Sequence, residues 1–135
     1  MVYQINHSYT EKKGVVRGLN YQEAPYEQAK IVRCIKGAIY SVAVDINPSS
    51  NTYGKWCGFE LSCDNCKIMY IPRGYAHGII LMQDDVELQY ITDNRYDYNS
   101  AKSIRFDDPE IGIDWKINGK IEVMRNILSK KMTKF

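Results

Sequence analysis

Ile71-Pro-Arg-Gly-Tyr-Ala-His-Gly78 has the Pro-x-Gly-x-x-His spacing of a tight turn that aims a histidine into the mouth of a small β-barrel. The segments on either side support that reading. Ile68 to Ile71, Gly78 to Met82 and Val86 to Thr92 are short, rich in branched and aromatic residues, and separated by Pro, Gly or Asp. Upstream, Lys30 to Ile35, Ala38 to Ile46 and Trp56 to Leu61 repeat the pattern. The run Ala38-Ile-Tyr-Ser-Val-Ala-Val-Asp-Ile46 is apolar on both faces and ends in the turn cluster Asn47-Pro-Ser-Ser-Asn51. Short strands at such even spacing predict an all-β sandwich or barrel rather than βαβ units. The only helical pattern is short and late, within Glu122 to Lys131.

At 135 residues, 44% hydrophobic and 25% charged, the chain is expected to form one domain, residues 1–135, of an ordinary globular kind. A net charge of +2 with scattered Lys and Arg gives no footprint for nucleic acid, and the cluster Lys130-Lys131 with Lys134 reads as solvated surface. No apolar run approaches a membrane span. The start, Met-Val-Tyr-Gln-Ile-Asn-His7, shows no secretory pattern, so a cytoplasmic location is the expectation. Cys63-Asp-Asn-Cys66 lacks the second pair that a structural zinc site needs, and Asp64-Asn65 suits a turn between strands, so incidental turn cysteines are expected. Tyrosine is abundant, at 11 copies, and its polar-tipped ring suits an interior that is part core and part ligand pocket.

Further anchors occur in order. They are Gln4-Ile-Asn6, Gly14-Val-Val-Arg-Gly-Leu-Asn-Tyr-Gln22, Gln28-Ala-Lys-Ile-Val-Arg33, Val42-Ala-Val-Asp45, Glu60-Leu-Ser62, the His77 segment, Tyr90, and Gly112-Ile-Asp-Trp115. This series resembles the dTDP-4-dehydrorhamnose 3,5-epimerase family over nearly the whole chain. The resemblance implies a cupin-type jelly roll, usually a homodimer, that holds a nucleoside-diphosphate 4-keto-6-deoxy sugar in the barrel mouth. Most members begin with additional strands before the segment matching Gln4, so the nucleotide grip and dimer of this chain are expected to differ.

A C4 ketone makes the C3 and C5 hydrogens acidic, because the carbanion delocalises onto oxygen. Epimerisation needs a base, a group that stabilises the enolate, and an acid on the opposite face. Carried over by position, Lys30 matches the enolate-stabilising lysine and Tyr90 the acid. Arg17 matches a pocket arginine, His77 the histidine beside it, and Gln4 and Asn6 polar residues of the sugar site. Asn20 stands where the family has its base, and a carboxamide takes no proton near pH 7. Met132 falls where the family has the aspartate that supports that base.

By residue type alone other readings stay open. Arg17 suits a surface ion pair, Lys30 a solvated strand face, Tyr90 core packing, and His77 a satisfied core histidine. With only two histidines, His7 and His77, no catalytic metal is expected, and no cofactor. The leading expectation is an isomerase-class enzyme on a nucleotide-activated keto-deoxy sugar for surface polysaccharide synthesis. It would use Tyr90 and Lys30, with Asn20 as a binder. A non-catalytic sugar-nucleotide binder, perhaps a partner subunit, is the second reading, and a ligand-free structural cupin the third.

Overall fold

A computed structural model describes residues 1–116, together with Glu122–Val123 and Met132–Thr133. Branched and aromatic residues broken by turn formers give eleven strands. They are β1 (Gln4–Thr10), β2 (Val15–Gln22), β3 (Lys30–Lys36), β4 (Ala38–Asp45), β5 (Trp56–Ser62), β6 (Ile68–Ile71), β7 (Tyr75–Leu81), β8 (Val86–Thr92), β9 (Ala101–Ile104), β10 (Glu122–Val123) and β11 (Met132–Thr133). A four-stranded sheet runs β1-β8-β3-β6. A seven-stranded sheet runs β11-β9-β2-β7-β4-β5, with β10 beside β2. The two sheets form the expected sandwich. No helix occurs among the described residues. The helix expected within Glu122 to Lys131 is replaced at Glu122–Val123 by a strand paired in parallel with Val15 and Val16, and residues 124–131 lie outside the described residues. The basic cluster at Lys130, Lys131 and Lys134 also lies outside them. No described helix is long and apolar enough to cross a membrane.

The two sheets differ in cover. β4 is buried along its whole length because a separate core packs on each of its faces. Ile39 and Ala43 point between the sheets, with Val32, Leu61, Ile71, Ile79, Leu81 and Leu88. Tyr40, Val42 and Val44 point the other way, into a second core with Val16, Leu19, Ile80, Ile111 and Trp115. That outer core is roofed by the chain after β9, where the Trp115 indole N–H donates to the Phe106 carbonyl at 2.9 Å. The four-stranded sheet has no such roof. Its outer face carries the register row Ile5–Ile91–Ile31–Tyr70, with Ile5 61%, Ile31 38% and Tyr70 63% exposed. Tyrosines therefore divide between pocket and surface. Tyr3, Tyr9, Tyr53, Tyr70, Tyr96 and Tyr98 are exposed, and Tyr40 is buried.

The turn before His77 is tighter than the sequence suggests. Pro72, Arg73 and Gly74 make it, with Gly74 at φ +90°, and β7 already begins at Tyr75 rather than Gly78. Cys63 and Cys66 lie in and beside the β5–β6 turn as exposed free thiols.

One irregularity shapes the site. β2 pairs β7 through Arg17–Ile79 and Asn20–His77, so three steps along β2 match two along β7. This is a bulge of one residue. In a regular strand, residues 17 and 20 would face opposite sides of the sheet. The extra residue turns both inward and leaves Leu19, fully buried, in the outer core.

Candidate functional site

Between the open ends of the sheets lie three cavities, of about 510, 330 and 250 Å³, that share Asn20 and Lys30 in their walls. Every site residue expected from the sequence lines at least one of them. Arg17, Asn20, Lys30, His77 and Tyr90 meet around the smallest. Gln4 and Asn6 join Asn20, Lys30 and Tyr90 around the second. The largest is bounded by Asn20, Lys30 and His77 within, and by Glu27, Arg73 and Tyr75 at its rim.

The two sheets contribute different chemistry. From the four-stranded sheet come two inward rows, Asn6–Tyr90–Val32 and Gln4–Thr92–Lys30. Lys30 and Tyr90 are therefore diagonal neighbours on adjacent strands, a placement that brings long side chains into common reach. From the seven-stranded sheet come Arg17 and Asn20 on β2 and His77 on β7. The position vacated by the family base thus faces the wall that carries the tyrosine.

Asn20 is held in place, since the Ser103 hydroxyl donates to its Oδ1 at 2.8 Å. β11 pairs β9 at Met132–Ser103, so Met132 occupies the register position two strands from Asn20. His77 Nε2 is hydrogen-bonded to the hydroxyl of fully buried Ser41 at 2.8 Å. Sequence reasoning missed both serines. The signal for Ser41 was a single hydroxyl inside the apolar run Ile39 to Val44.

Charge in the site is suppressed by loss of water. Burial lowers the Lys30 pKa to about 8. No carboxylate within ion-pairing distance offsets that shift among the described residues. Burial, and then the Lys30 charge, lower the His77 pKa to about 3, so the imidazole is neutral at physiological pH. The Arg17 Nε is buried without a hydrogen-bond partner among the described residues. Such a donor costs about 1–3 kcal/mol unless a ligand oxygen meets it. No group of three or more His, Cys, Asp or Glu placed to hold a metal occurs among the described residues.

The rim is braced from outside. Gln22 donates to the carbonyls of Tyr26 and Arg95, Gln28 donates to that of Asn94, and Arg73 pairs with Asp93 at 3.1 Å. Asp45 clamps the turn beyond β4. Burial pushes its pKa up, but hydrogen bonds from Ser50, Thr52 and the Asn47 amide outweigh that and hold it below the usual range.

A neutral His77 has a measurable consequence. Its folded pKa is below the unfolded value near 6.5, so the unfolded chain binds more protons between pH 6.5 and 3, and stability falls as pH falls through that window. The expected slope from this group is up to about 1.4 kcal/mol per pH unit. Urea midpoints between pH 6.5 and 5, above most carboxylate titration, check it. His77→Gln should flatten the decline; an unchanged slope would show that His77 is not the group responsible.

The profile of the family described as dTDP-4-dehydrorhamnose 3,5-epimerase matches residues 1–134. The chain belongs to the dTDP-4-dehydrorhamnose 3,5-epimerase family. It is 42% identical over 128 residues to the enzyme of that name from Shigella flexneri, covering 95% of this chain and 70% of the relative. With the Escherichia coli K12 enzyme of the same name it shares 47% over 112 residues, covering 83% of this chain and 60% of the relative. The crystal structure of the Legionella pneumophila dTDP-6-deoxy-D-glucose-3,5-epimerase in complex with dTDP-4-keto-L-rhamnose superposes with a TM-score of 0.90 at 33% identity, covering 98% of this chain and 69% of that one. Against the 3,5-epimerase relatives, then, the chain spans between about three fifths and seven tenths of their length.

Proposed function

We propose that this protein binds a dTDP-linked 4-keto-6-deoxy sugar between its two sheets and moves the acidic hydrogens beside the ketone, as a cytoplasmic homodimer serving surface polysaccharide synthesis. The observation that carries the reading is Arg17. A bulge turns it inward, and its buried Nε lacks a protein partner beside Lys30, Asn20 and Tyr90. That is a donor in want of an oxygen-rich ligand. The nucleotide-sugar class follows from the family and from the ligand of the Legionella relative. The uncovered apolar row Ile5–Ile91–Ile31–Tyr70 supports a second copy on the outer face of the four-stranded sheet.

Titration calorimetry with dTDP-4-keto-6-deoxy-D-glucose tests the reading. The chain should bind, and Arg17→Ala should weaken binding about 10- to 100-fold, the worth of one charged hydrogen bond. No heat at millimolar sugar nucleotide would overturn it. Sedimentation of the same sample checks the dimer, since a species at the mass of one chain removes it. A second reading, a non-catalytic binder, is favoured by one observation: Asn20, fixed by Ser103, occupies the base position. Binding without any hydrogen exchange at the sugar would select it.

A further inference from the structure

We propose that this site works from one wall only: Lys30 takes the hydrogen from C3 of the sugar and returns it at C4 on the same face, so the reaction is a ketone shift rather than an inversion. The inference rests on the keto-sugar reading above and deepens it.

Inversion needs proton-transfer groups on both faces of the ring. The seven-stranded sheet offers none suited to the task. Arg17 does not give up its proton, and the Asn20 amide has no basicity. His77 is tied to Ser41 and is a feeble base in its buried setting. Glu27 and Tyr75 line only the rim cavity, away from Arg17 and Tyr90, and Glu23 there pairs with Lys102 at 3.5 Å. The four-stranded sheet offers two suitable groups, Lys30 and Tyr90, diagonal to each other on β3 and β8 and facing the same cavity. Lys30 is free for the role because no carboxylate holds it as an ammonium, and its pKa near 8 leaves a useful fraction as amine at neutral pH.

The step balances without a co-reactant. The Lys30 amine bonds to the C3 hydrogen, the C3–H electron pair becomes the C3–C4 double bond, and the carbonyl π pair moves to O4. O4 takes the Tyr90 phenolic proton, giving the enediol. The C3 hydroxyl then returns a proton to the Tyr90 phenolate as its O–H pair becomes the C3 carbonyl. The double-bond pair takes the proton from the Lys30 ammonium at C4. Lys30 and Tyr90 finish as they began.

NMR of dTDP-4-keto-6-deoxy-D-glucose with the full chain in D₂O tests the inference, alongside calorimetry of the same pair. The expected product is the 3-keto isomer, with the C5 hydrogen unexchanged. Lys30→Met should lower kcat about 10²- to 10⁴-fold with little change in KM. Lys30→Arg, which keeps the charge but not the base, should be equally slow, and ethylamine should partly restore Lys30→Ala. A product inverted at C3 or C5, deuterium at C5, or an active Lys30→Arg would overturn the inference. So would binding without turnover, which leaves the keto-sugar reading standing. Absence of binding overturns that reading and the inference with it.

Discussion

Asn20→His combined with Met132→Asp should give the chain an inverting reaction that it lacks. Asn20 lies on the seven-stranded sheet and Tyr90 on the four-stranded one, so an imidazole at position 20 places a base across the ring from the phenol. Ser103 already hydrogen-bonds the side chain at position 20, and Met132 is in register with Ser103 on the next strand, where a carboxylate would complete the support. A positioned base contributes about 10²- to 10⁴-fold. We expect deuterium at C3 and C5, with inversion, to appear at a rate at least about 100-fold above the unmodified chain. The single variants should fall between, because base and support act as a unit. A folded double variant that binds the sugar nucleotide yet shows no gain would mean that position 20 does not address the reacting carbons.

Gly18→Ala should have the largest effect on stability. Gly18 sits in the β2 bulge at φ +117°, where side chains are strained, and an added Cβ would lie 2.6 Å from the His77 carbonyl oxygen and 2.8 Å from the Gly78 Cα. Both obstacles are backbone, so neither strand yields without breaking its pairing. A loss of about 3–5 kcal/mol is expected, near the upper end for single substitutions. Urea unfolding measures it directly. A midpoint within error of the parent would show that the bulge accommodates a methyl group. The same substitution should abolish sugar-nucleotide binding in any molecules that remain folded, since Arg17 and Asn20 would no longer share a face.

Much of the sandwich was legible because its strands are short, branched and punctuated by turn residues, and because periodicity is a property of one segment at a time. Val86 to Thr92 and Ile68 to Ile71 emerge at the expected bounds. What could not be read is what two segments decide together. The bulge exists only as a mismatch between β2 and β7, and strict alternation along β2 would have placed Arg17 and Asn20 on opposite faces. The hydroxyls of Ser41 and Ser103 matter through His77 and Asn20, which lie 36 and 83 residues away in sequence. The late helical pattern fails at Glu122–Val123 because pairing with Val15 and Val16 overrides local preference there.

The unequal cover of the two sheets also bears on how such a pocket changes over generations. Substitutions on β2, β4 or β7 disturb a layer wedged between two cores, and their cost falls on folding. Lys30 and Tyr90 are mounted instead on a wall whose back is open to solvent, where neighbouring strands can readjust. Laboratory selection for new sugar chemistry would best randomise that thinner wall.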